Sequence, residues 1–89
     1  MSLASESQQA FHLGTAPIFA LLSTEQTRQL VDLRGDPTTA QRLSELAMRA
    51  NEGELSEAER AEYEAYIEAN NLLAILQAEA RFRLAQGGL

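Results

Sequence analysis

Apolar residues recur at helical spacing through most of this chain. Between Pro37 and Ala50, Ala40, Leu43, Leu46, Ala47 and Ala50 stand three and four apart, which predicts a helix with one core-facing stripe. Before it, Ser23 and Gln26 have the spacing of a capping box, and Leu30, Val31 and Leu33 mark the apolar edge of a shorter helix. Gly35 is placed to end that helix in a left-handed conformation, and Asp36-Pro37 to start the next as N-cap and first helical residue. The turn at Asn51-Glu52-Gly53-Glu54 closes the second helix, with Asn51 or Gly53 taking positive φ. Ser56 and Glu59 form another capping box, and neither Gly nor Pro follows until Gly87. The third helix therefore runs for about 30 residues, roughly 45 Å at 1.5 Å per residue. Either it kinks near Asn70-Asn71, or its far end is covered by something other than this chain.

The two halves of the long helix differ. Its first half sets Glu57, Glu59, Glu62, Glu64 and Glu68 among Ala58, Ala61, Ala65 and Ala69, small residues that suit close approach to the second helix. Its second half, Leu72-Leu73-Ala74-Ile75-Leu76, is apolar around more than half the circumference. The predicted architecture is all-α: two short helices packed on one long C-terminal helix, with a helical hairpin over residues 37–86 joined by a short turn. Residues 1–15 show no sustained period and read as a flexible arm without the basic start and apolar centre of a signal peptide. In residues 16–22 Pro17 disfavours a helical Thr15-Ala16 and either opens a helix or holds an extended stretch, while Ile18, Phe19, Leu21 and Leu22 make an apolar strap. The strap either packs across the helices or detaches to dock on a partner. Residues 16–86 then form one helical domain, and 87–89 a tail.

Composition supports this assignment. The 89 residues include 15 Ala, 14 Leu and a single Val. Strong helix formers dominate, and little suits a strand. All seven basic residues are Arg, against 13 Asp and Glu, for a net charge of −6. That balance argues against direct nucleic-acid binding, which needs clustered positive charge. No apolar run approaches the roughly 20 residues needed to cross a bilayer, so a cytoplasmic protein is expected.

Candidate chemistry is thin. With no Cys and one His, thiolate sites and clustered imidazole ligands are excluded. The acidic turn after Asn51 is too short for a calcium-binding helix–loop–helix, and no His accompanies the glutamates of the long helix. His12, beside Phe11 in the arm, shows no evident partner. No nucleophile elbow or glycine-rich phosphate loop is present. No catalytic residue, metal site or cofactor is expected, and the chain does not read as an enzyme.

From Ala47 to Leu84 the sequence reads A-x-x-A-N-E-G-x-L-S-x-x-E-R-x-E-Y-E-x-Y and then L-L-A-I-L-Q-A-x-A-R. In this it resembles a family of short bacterial all-helical proteins often encoded beside HNH-type endonucleases. Ile18-Phe19 with Leu22 and the two capped helices that follow extend the resemblance to about three-quarters of the chain. It implies a companion role, of antitoxin or accessory type, toward a basic nuclease. Members of that family commonly carry Lys where this chain has Glu79, so the resemblance does not extend to a partner contact through that cation.

These readings combine into an acidic helical protein-binding module whose third helix engages a basic protein partner. The alternative is a homo-oligomer of paired long helices. The candidate partner-binding residues are Tyr63, Tyr66, Gln77, Arg81 and Phe82. Tyr is common at interfaces because it joins area to a polar tip. Gln77 and Arg81 are four apart on one face, where they make either a joint polar contact or an internal hydrogen bond.

Overall fold

The computed structural model describes the backbone of residues 3–87 and the side chains of residues 5–87. Met1 and Ser2 of the expected arm, and Gly88 and Leu89 of the expected tail, lie outside the described residues. Four helices and no strand form among those described: α1 (Leu3–Ala20), α2 (Thr24–Asp32), α3 (Pro37–Asn51) and α4 (Glu57–Gln86). The all-α expectation holds. The three helices read from the sequence are α2, α3 and α4.

α1 replaces the irregular arm and takes in residues 16–20 of the strap. Ala, Gln and Leu favour a helix in its first half, Glu6 lies in its first turn, and Pro17 sits inside the helix. Lacking an N–H, Pro17 leaves the Leu13 carbonyl without its usual donor four residues on. Tertiary contacts outweigh that loss: Phe19 is buried, and His12 bonds to Glu79 across 67 residues of sequence. Short bonds from Leu21 N–H to the Ile18 carbonyl and from Leu22 N–H to the Phe19 carbonyl, both 3.1 Å, tighten the helix end.

The start signals act as their chemistry dictates. Ser23 N–H donates to Gln26 Oε1 at 2.8 Å while Gln26 N–H donates to Ser23 Oγ at 3.0 Å. Asp36 Oδ1 accepts from Thr38 N–H at 2.9 Å, with Pro37 opening α3. Ser56 and Glu59 exchange two bonds of 3.1 Å at the head of α4. The end of α3 is a Schellman turn: Gly53 takes φ +70°, and Glu54 N–H reaches the Arg49 carbonyl at 2.9 Å. Gly35 corrects the expectation for α2, because its φ is not positive and the helix has already ended at Asp32.

The chain divides into two compact units. Among the described residues, 3–32 and 76–87 make one, and residues 33–75 the other. In the first, α1 and α2 pack on the distal part of α4 around Phe19, Ala80, Thr27 and Glu79. In the second, α3 and the proximal part of α4 form the expected hairpin, centred on Leu46, which has no exposed surface. The alanines of α4 do not mediate this hairpin. Ala58, Ala61, Ala65 and Ala69 are exposed, and the half-buried residues of this stretch are Glu59, Glu62, Tyr63 and Tyr66. α4 is helical through Asn70 and Asn71 without interruption.

Candidate functional site

Two constellations are built on α4, one in each unit. In the hairpin, Arg42 of α3 grips Glu62 in a bidentate fork: Nε and Nη2 each donate at 2.9 Å. Arg42 also lies 3.6 Å from Glu45 and 3.9 Å from Glu59. Arg49 donates to Glu59. Bonding to Arg42 holds the Glu62 carboxyl below the usual carboxylate range and raises the Arg42 guanidinium above its own ordinary value. The Ser56 backbone N–H, aided by Arg49, lowers Glu59 likewise. The inward glutamates are thus paired.

In the other unit, Glu79 is 8% exposed and sits between two cations or potential cations. His12 Nδ1 lies 2.7 Å from Glu79 Oε2, so the ring proton stands on Nδ1 when Glu79 is ionised. Arg83 Nε is also 2.7 Å from that oxygen but is not aligned for a directed hydrogen bond, so the contact is an ion pair only. Arg83 Nη2 donates to the His12 carbonyl, and its guanidinium stacks 4.6 Å over the Phe19 ring. The Phe82 ring meets the His12 ring edge-on at 5.4 Å. His12 was discounted on sequence grounds, and no local signal could have found its role. Glu79 faces inward.

The five sequence-derived residues divide between the units. Tyr63 and Tyr66 are half-buried on the hairpin part of α4. Gln77, Arg81 and Phe82 belong to the other unit. Gln77 Nε2 donates to the Leu30 carbonyl at 3.1 Å and the Val31 carbonyl at 3.3 Å, satisfying acceptors that α2 leaves open at its C-terminal end. Arg81 is exposed and makes no ion pair among the described residues, and Phe82 is 47% exposed. Gln77 and Arg81 share a face, as their spacing predicts, but Gln77 is engaged inward.

An open cleft of about 540 Å³ in the unit that holds α1 and α2 is bounded by Ala16, Phe19, Leu22, Thr27, Arg83 and Leu84. Among the described residues no group of three His, Cys, Asp or Glu is gathered to hold a metal ion. No described helix is long and apolar enough to cross a membrane. The arrangement offers fixed charge pairs and exposed apolar side chains, the chemistry of association. No family model matches the chain, and no curated protein or solved structure is significantly similar to it.

Proposed function

We propose that the protein is a small acidic helical protein-binding module that acts through α4, without catalysis, as an antitoxin-like or accessory companion of a basic nuclease in the cytoplasm. One observation carries the binding role. Among the described residues only Phe19, Leu46 and Ala80 are buried hydrophobics, while Leu72, Ile75 and Phe82 of α4 stay 59%, 48% and 47% exposed. Large apolar side chains grouped along one helix mark an interaction surface more often than scattered ones do. Negative charge steers a basic partner to that surface and raises the association rate more than the final affinity. The nuclease rests on the sequence resemblance alone. Tyr66, Arg81 and Phe82 are the expected contacts, with Tyr63 beside them and Gln77 acting through its hold on α2.

Co-expression with the product of the adjacent gene tests the reading. The expected result is a stable complex at micromolar concentration, formed by a protein that light scattering shows to be monomeric alone. No complex, together with a stable dimer that Leu72→Ser dissociates, establishes the homo-oligomer instead.

A further inference from the structure

We infer that the outward row of α4 within residues 57–75 docks a cationic amphipathic helix of a partner protein. The inference rests on the binding role proposed above and adds the chemistry of what is bound. Glu57, Ala61, Glu64, Glu68, Leu72 and Ile75 recur at spacings of three and four, and Glu57 and Ile75 are five whole turns apart, so they share one side of the helix. All six are exposed, and Ile67 flanks them at 38%. The face is acidic at its beginning and apolar at its end.

The ion pairs on the opposite side make this row distinctive. Glu45, Glu59 and Glu62 are ion-paired with Arg42 and Arg49. Glu57, Glu64 and Glu68 form no ion pair among the described residues, and Glu64 and Glu68 repel each other at i,i+4. The unit formed by residues 33–75 holds nine acidic residues and four arginines, a net charge of −5 out of the chain's −6. A partner helix with Lys or Arg over Glu64 and Glu68, and aliphatic anchors over Leu72 and Ile75, relieves that repulsion and covers the apolar end together. A second copy of this chain does neither. Parallel in-register pairing of the row sets glutamate against glutamate, and antiparallel pairing of the whole row sets Glu64 against Glu68 and Ile75 against Glu57.

The test uses the full chain and two synthetic peptides of identical composition. One places Leu along a helical stripe flanked by Arg, and the other scrambles that stripe. Binding is followed by fluorescence anisotropy, with circular dichroism confirming that each variant stays helical. The striped peptide is expected to bind, and both Glu64→Gln/Glu68→Gln and Leu72→Ser/Ile75→Ser should weaken it roughly tenfold or more. Glu52→Gln/Glu54→Gln, the same charge change made in the α3–α4 turn, should weaken it by less than about twofold. Equal losses from the two glutamate pairs, equal binding of both peptides, or self-association lost with Leu72→Ser overturns the inference. Carrying the same variants into the complex with the adjacent gene's product separates the two ideas. A complex that forms but ignores the row sinks this inference and leaves the binding role standing, whereas absence of any complex removes the binding role itself.

Discussion

Leu46 and Leu72 are the same residue type in helices of similar composition, yet one has no exposed surface and the other is 59% exposed. Deleting a fully enclosed side chain loses its transfer free energy and leaves a cavity. Leu46→Ala is therefore expected to cost about 2–5 kcal/mol of stability, and Leu72→Ala less than about 0.5 kcal/mol. Urea unfolding followed by circular dichroism measures both, and similar losses would show that the hairpin core is not where Leu46 lies. The stripe through Ala40, Leu43, Leu46, Ala47 and Ala50 was legible because periodicity marks which side of a helix is apolar, although Ala40 at its start is exposed. Periodicity does not give depth, so the apolar run at 72–76 did not reveal that Leu73 and Leu76 turn inward while Leu72 and Ile75 remain exposed. His12 was illegible for a different reason. Its partner lies 67 residues away, and a contact at that separation leaves no trace in local spacing.

At the scale of elements, the caps were read correctly because each is a bond between neighbours in sequence. Ser23 with Gln26, Asp36 with Thr38, and Ser56 with Glu59 close over two or three residues. α1 was missed because its local signals conflict: Pro17 and the absence of a clear period argue against helix, and only packing on α4 decides otherwise. In the hairpin, spacing pointed to the alanine face of α4, and Arg42 and Arg49 instead hold the face that carries Glu59 and Glu62 against α3. That choice has a consequence in acid. Glu62 is held below its ordinary range chiefly by bonding to Arg42, and Glu59 chiefly by the Ser56 N–H. A carboxylate with a depressed folded-state pKa adds stability that is fully present above its unfolded value, about 4.3, and disappears as pH falls through the lowered one. Thermal unfolding of the wild type should therefore move to lower temperature as pH drops from about 5 toward 2. In Glu62→Gln the same curve should start lower at neutral pH and fall less steeply. Parallel curves for the two proteins would mean that the Arg42–Glu62 fork contributes nothing to folding.

For the molecule as a whole, the sparse apolar burial has a thermodynamic signature separate from any binding assay. The heat capacity of unfolding comes mainly from apolar surface newly exposed to water, at about 12–15 cal/mol/K per residue in ordinary globular domains. For 89 residues that average gives roughly 1.1–1.3 kcal/mol/K. A chain whose described core contains Phe19, Leu46 and Ala80, with Leu13, Ile18, Leu21, Leu72, Ile75 and Phe82 already exposed, has less apolar surface left to uncover. Calorimetry across a range of melting temperatures should accordingly give a slope of enthalpy against temperature below that average. Partner binding should bring a negative heat-capacity change, because it buries the residues that folding leaves out. The two quantities are linked through the same side chains: Leu72→Ser and Ile75→Ser should reduce the binding term while scarcely altering the unfolding term. An unfolding heat capacity at or above the globular average would show that these side chains are covered in the isolated protein, removing the main support for a docking face on α4.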